Sequence, residues 1–162
     1  MENPDLTEVR KLYEGFIAAW NRRDAKGMAE RFRTDGIQIG FDGSTATGPV
    51  EVFKHLDPIF KDHETATYVA KVREVRALAP NTALLTAITG LVPPGLIDVS
   101  PATNAHQTLI AVRENGAWGI ELFQNTPAQF HGRPELVNAM TAELQQLLRV
   151  NMPTKRPDAP WE

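Results

Sequence analysis

The sequence has no cysteine. That excludes disulfides, thiol nucleophiles and zinc sites built on thiolates, and it fits a reducing compartment. It also lacks any block of basic residues. The 17 lysines and arginines and 20 aspartates and glutamates are spread along the chain, giving a formal charge of -3. No segment could neutralise a row of phosphates, so nucleic acid is not an expected partner. No apolar run approaches the roughly 18 residues of a membrane span, and the opening MENPDLTEVRK has no apolar signal core. The expectation is a cytoplasmic protein that does not engage a membrane. Three other signatures are missing: a phosphate-cradling glycine loop, a nucleophile elbow and a dinucleotide fingerprint. The histidines show no metal-ligand spacing such as two residues four apart on a helix. No metal and no cofactor is expected.

The chain does have 162 residues, 42% of them apolar, with eleven glycines. This is ordinary globular composition, with enough length for one core and not two. Residues 1–150 are expected to form one domain, and residues 151–162 a proline-rich tail in which Trp161 is the residue able to dock. Leu6, Val9, Leu12, Phe16, Ile17 and Trp20 recur every three or four positions and predict an amphipathic helix that stops near Asn21. Asp24 caps a short second helix carrying Met28, Ala29 and Phe32. Ile37 to Phe41 alternates like a strand and runs into the turn formers DGST. Gly48 and Pro49 open a third helix with Val50, Phe53, Leu56 and Phe60 inward, and Pro58 should kink or end it. Four segments then have period two: Thr65 to Leu78, Thr82 to Leu91, Thr103 to Glu114 and Ala117 to Asn125. These predict one antiparallel sheet, with PPGLIDVSPAT as a loop or ragged edge. Pro134 and Glu135 begin a last helix with Leu136, Val137, Met140, Leu144, Leu147 and Leu148 on one face. The order is segregated α+β, not a doubly wound parallel fold.

Asn115-Gly116 between two strand-like runs signals a two-residue hairpin turn and sets a register. With Glu114 opposite Ala117, a regular ladder places Val112 opposite Gly119, Ile110 opposite Glu121, Thr108 opposite Phe123 and His106 opposite Asn125, all on one face. Both faces are substantially apolar, so each needs a cover. Helices on one side and a second copy of the chain on the other make a homodimer the expected state. Burying His106, Thr108, Glu121 and Asn125 without partners would cost several kcal/mol, so the cluster should be mutually bonded or line a wet cavity. The other reading of Glu121 and His106 is a structural pair at a sheet edge or a dimer seam.

The strings FIAAWNRRDAKGMAERF, GPVEVFKHLDPIF and ENGAWGIELFQNTP, in this order, resemble the nuclear-transport-factor-2-like superfamily, also called the SnoaL-like or cystatin-like cone fold. The likeness spans about Leu6 to Thr126. The last string with its FHGRP extension is most similar to the SgcJ/EcaC branch, found with bacterial secondary-metabolite pathways. The resemblance implies a cone-shaped half-barrel in which a curved antiparallel sheet wraps on N-terminal helices, with a C-terminal helix added. It also implies a pocket between sheet and helices, and dimerisation through the outer sheet face. Pocket positions of ketosteroid isomerase-like relatives fall on Thr108, Glu121 and Asn125, and Trp20 would join the helix wall. The first-strand aspartate of those relatives falls on Ile39 or Gly40, which cannot move a proton. Asp42 nearby reads as a turn residue. Ketosteroid isomerisation is therefore not expected.

The candidate acid or base is His106, with Glu121 as a second carboxylate base or as its partner. Trp20, Thr108, Phe123 and Asn125 are the candidate substrate-binding residues. His55 and His63 read as surface residues in polar company, and His131 as part of a loop. Three readings of function follow. One is a pocket protein of bacterial secondary metabolism or detoxification, with cofactor-independent acid-base chemistry on a polyketide-like or aromatic molecule. Another is a non-catalytic ligand-binding or dimeric assembly module. In the third, the cavity is filled by side chains such as Phe41, Phe60 and Phe123.

Overall fold

A computed structural model describes residues 4–151. The expectations placed on the tail and on Trp161 lie outside the described residues. Helix α1 (Pro4–Asn21) and the short α2 (Ala25–Ala29) are followed by β1 (Phe32–Ile39), β2 (Thr45–Thr47) and α3 (Gly48–Asp62). Strands β3 (Thr67–Ala79), β4 (Thr82–Val92), β5 (Ser100–Glu114) and β6 (Ala117–Pro127) come next, and α4 (Pro134–Asn151) closes the described chain. The strands form one curved, unclosed sheet in the order β2-β1-β6-β5-β4-β3. The fold is α+β, as the element order predicts. Among the described residues no helix is long and apolar enough to cross a membrane.

The sheet is mixed and not wholly antiparallel, because β1 pairs with β6 in parallel. No hairpin joins these two strands, so no local turn dictated their relative direction. The Asn115-Gly116 turn forms as its sequence demands, with both residues at positive φ (54° and 80°), the geometry of a type I′ hairpin. Asp24 caps α2, its Oδ1 accepting from the Gly27 amide at 2.9 Å. That bond holds its carboxyl below the usual range.

Four local expectations change. Phe32 belongs to β1, not to α2, and meets Phe16 edge-on with ring centroids 5.6 Å apart. In α3 the buried positions are Val52 and Leu56, while Val50 and Phe53 are exposed. Apolar residues lie on more than one side of this helix, so periodicity alone left its phase open. α3 also continues through Pro58 to Asp62. The proline ring sits on the exposed side, and the buried residues before it already dock the helix. Finally, β5 begins at Ser100, so Pro101 to Thr103 lie in the strand and not in a loop. There Gly90 alone of β4 stands opposite residues 101–104 of β5, a bulge in which proline need not donate a ladder bond.

The concave face carries the main core. Val9, Tyr13, Phe16 and Ile17 of α1 pack on Leu85 of β4, Leu109 of β5 and Ile120 and Phe123 of β6. The convex face carries a smaller cluster in which Met140 and Leu144 of α4 meet Val69, Ile88 and Val99. α4 is also held by Glu143, which pairs with Lys71 and Arg73 of β3. The Arg73 guanidinium, followed by Lys71, pulls the Glu143 carboxyl down to about 2. Part of the cover expected from a second copy of the chain is therefore supplied by the chain itself.

Candidate functional site

The end of α1 fixes one rim of a cavity on the concave side. Asn21 behaves like a strand neighbour toward Tyr68. Its Oδ1 accepts from the Tyr68 amide at 2.8 Å and its Nδ2 donates to the Tyr68 carbonyl at 3.2 Å. Trp20 Nε1 donates to the Ala66 carbonyl at 2.8 Å, and Arg23 Nη2 to the Thr65 carbonyl at 3.2 Å. These bonds seat the Trp20 indole against the rings of Phe60 and Tyr68, at centroid distances of 5.1 and 5.3 Å. Each satisfied polar tip lets its ring serve as apolar wall.

The cavity so framed has a volume of about 210 Å³ and lies between α1, α2, α3 and the concave sheet. Phe16, Trp20, Leu56 and Phe123 form apolar wall, Gln38, Tyr68 and Asn125 supply polar atoms, and Asp42 and His55 stand at the mouth. Despite Phe41 and Phe123 in its lining and Phe60 behind Trp20, it is not filled by side chains. Asn125 Nδ2 donates to Tyr68 Oη at 3.1 Å, and behind them Tyr13 Oη donates to Gln107 Oε1 at 2.6 Å. Burial pushes the Tyr68 phenol up to about 12, more than the bond from Asn125 and the nearby Gln107 amide pull it down. It therefore stays protonated at neutral pH. Burial likewise raises Tyr13, and the neighbouring Tyr68 and Glu14 add to the effect. Asp42 Oδ1 accepts from the Ser44 amide at 2.9 Å, which confirms its turn role and lowers its carboxyl.

Of the residues expected at the site, Trp20, Phe123 and Asn125 meet in this cavity. His106, Thr108 and Glu121 do not. From Glu114 to Val112 the ladder runs as the hairpin predicts, but β6 then carries one extra residue. Ala111 pairs with Ile120 and Ile110 with Leu122, leaving Glu121 as a bulge. Beyond it every side chain of β6 is turned over relative to a regular ladder. His106 pairs with Thr126 instead of Asn125, and Thr108 with Gln124 instead of Phe123. Phe123 and Asn125 consequently face the cavity, while His106 and Thr108 line a groove of about 340 Å³ on the convex side, walled by Phe130 and Met140. Glu121 accepts from Arg33 Nη1 at 2.6 Å, and Arg33 Nη2 also bonds Glu114 at 2.8 Å. These residues border a polar cleft of about 410 Å³. The alternative of a His106–Glu121 pair does not form either, because each has its own surroundings on different parts of the sheet.

His55, expected at the surface, is half-buried and lines the cavity; His63 and His131 are exposed. Gly40, one of the two positions matched to the catalytic aspartate of relatives, also lies in the lining. Gln38, Tyr68 and Gln107 had no sequence signal beyond strand alternation. A glutamine or tyrosine pointing inward is visible only once the strand's face is known. Among the described residues no group of three or more potential metal ligands comes together.

Other solved structures share this architecture. A domain of unknown function with a cystatin-like fold from Nostoc punctiforme aligns with a TM-score of 0.76 at 21% identity, over 96% of this chain and 99% of that one. A ketosteroid isomerase-like protein from Erwinia carotovora atroseptica aligns with a TM-score of 0.64 at 16% identity, covering 79% of this chain and 99% of that one. An NTF-2 like protein of unknown function from Shewanella oneidensis gives 0.61 at 19% identity, covering 74% and 97%. At such identities the likeness concerns the fold. No curated protein matches the chain. The family model of the SnoaL-like domain matches residues 9–124, from the first core valine of α1 to the last cavity strand. With most of its length inside that match, the chain belongs to the SnoaL-like domain family.

Proposed function

We propose that this protein binds a small hydrophobic, ring-bearing molecule in the cone cavity, in the setting of bacterial secondary metabolism or detoxification. The observation that carries this reading is the cavity itself: about 210 Å³ with aromatic walls and a few convergent polar atoms, the usual composition of a ligand site. The SnoaL-like family often has ligand-binding or isomerase roles, which supports the same reading. The strings ENGAWGIELFQNTP and FHGRP support the SgcJ/EcaC branch within the family. The decisive experiment widens one lining residue. Ile59→Trp should abolish binding of small aromatic probes, followed by protein-observed NMR, with an unchanged circular dichroism spectrum. Undiminished binding would overturn the reading.

Turnover, if the ligand is a substrate, falls to the groups at the mouth. Tyr68 holds its proton too firmly to act as a base, whereas an imidazole both takes and gives protons near neutrality. His55, with Asp42 beside the same opening, is the candidate. Incubating the protein with a mixture of aromatic metabolites separates the two versions. A compound consumed by the parent and spared by His55→Gln supports catalysis; a compound retained unchanged by both supports carriage.

The convex face supports a homodimer. Leu84, Ile110, Leu122 and Ile37 pair in sequence across four strands and form one apolar row. Ile37 is 40% exposed. Light scattering should report a dimer for the parent and a monomer for Leu122→Glu.

A further inference from the structure

We infer that the occupant of the cone cavity is an uncharged single-ring compound with adjacent hydrogen-bond donor and acceptor atoms, of the class of phenols, cyclic amides and aromatic carboxamides, gripped by Gln38, Tyr68 and Asn125. This rests on the reading that the cavity holds a ligand, and it adds what kind.

Size sets the first limit. Drug-sized ligands occupy pockets of roughly 300 Å³ and more, so about 210 Å³ suits one ring with a short substituent and excludes a fused tetracycle. The polar atoms set the second. Gln38 and Asn125 are each only 6% exposed, and both contribute to the lining. Gln38 Oε1 and Asn125 Oδ1 have no hydrogen-bond partner among the described residues and almost no accessible surface, so each amide must turn slightly toward the cavity to meet an occupant. A buried carbonyl left unmatched is destabilising, so an occupant that matches both recovers part of that loss. Turning the Gln38 amide over exchanges its oxygen for its nitrogen and still leaves one atom for the occupant, whereas the bond from Asn125 Nδ2 to Tyr68 Oη sets the sense of Asn125.

Tyr68 adds a donor. Its oxygen already accepts from Asn125 Nδ2, so its own proton is left for another acceptor. A ligand with one donor and one acceptor side by side meets an amide and a phenol of this kind; a pure hydrocarbon meets neither. Charge sets the third limit. The lining contains no lysine or arginine, and its ionisable groups other than Tyr68 are Asp42 and His55 at the mouth. A carboxylate or ammonium drawn inside would lose its hydration without an opposite charge deep in the cavity.

The test uses five probes of nearly equal size: benzamide, phenol, toluene, benzoate and benzylamine. Each is titrated into the full-length protein and followed by NMR at cavity methyl and aromatic resonances. Benzamide and phenol should bind at least about tenfold more tightly than the other three. Asn125→Leu and Gln38→Met should reduce benzamide affinity to that of toluene and leave toluene binding equal or stronger. Toluene binding as tightly as benzamide, or a preference that survives both substitutions, would overturn the assigned class while the cavity reading stands. Preference for benzoate or benzylamine would overturn the neutrality of the ligand. Binding of none of the five at the cavity would remove the cavity reading and this inference with it.

Discussion

The two faces of the sheet are built from the same strands but by different rules. The concave face sinks aromatic and aliphatic side chains into one core and buries the amides of Gln38, Gln107 and Asn125 and the phenol of Tyr13, with Tyr68 partly buried, beside a cavity. The convex face has a small cluster under α4, an apolar row further along, and the half-open groove that holds His106. One surplus residue, Glu121, sends Phe123 and Asn125 to the first face while His106 and Thr108 stay on the second. The difference teaches that an inserted residue in one strand can divide a cluster that reads as contiguous in sequence.

The sharpest way to break the contrast is to truncate neighbours that lie on opposite faces. Phe123 is 4% exposed and packs against Phe16, the ring centroids 4.7 Å apart and the planes tilted by 60°. Phe123→Ala should cost about 3–5 kcal/mol, the range for large core truncations. Leu122→Ala, on the half-buried convex side, should cost clearly less, about 1 kcal/mol. Urea melts of the two variants measure the difference. Equal losses would mean the faces are not as assigned.

A smaller effect concerns the attachment of α4. Glu143 has a folded-state value of about 2 against an ordinary value of 4.5. Its contribution to stability is thus complete above the ordinary value and is lost as pH falls from about 4.5 through about 2. The pair is partly open to solvent, so salt should weaken it. Melting temperature against pH should fall more steeply for the parent than for Glu143→Gln in that window, with the two curves converging at the acid end. Parallel curves would show that the clamp contributes nothing.

The smallest expected change is at His106. It is exposed on the convex face, and the bulge separates it from the cavity residues of β6. His106→Ala should alter stability by no more than about 0.5 kcal/mol and leave probe binding in the cavity unchanged. A large loss of binding would restore the regular register.

Much of the fold was legible because it depends on periodicity and on turn residues with a special backbone. α1 and α4 follow their apolar spacing, Asp24 caps α2, and Asn115-Gly116 makes its turn. The site was only half legible. Trp20, Phe123 and Asn125 belong to the cavity, but the bulge that brings the last two inward has no residue-type signature of its own. Glu121 is neither a glycine nor a proline. His55 was read by its charged neighbours, although in a helix residues three and four apart are the spatial neighbours, and Leu56 beside it in sequence is core. Pro58 looked like a stop because a proline removes one helix bond, which does not outweigh a helix docked before and after it.

The bonds from Trp20, Asn21 and Arg23 to the start of β3 also decide where the cavity can open. They grip the carbonyls of Thr65, Ala66 and Tyr68 in turn, so α1 and β3 act as a hinge post and not as a door. A ligand entering past them would have to break three or four hydrogen bonds at once. Among the described residues no hydrogen bond laces the opposite rim, where the turn at Gly40 to Ser44 and the α3 residues His55 and Ile59 line the cavity. On the proposed reading, a ligand would enter past Asp42 and His55, so substitutions there should change the rate of entry more than the fit of what is held.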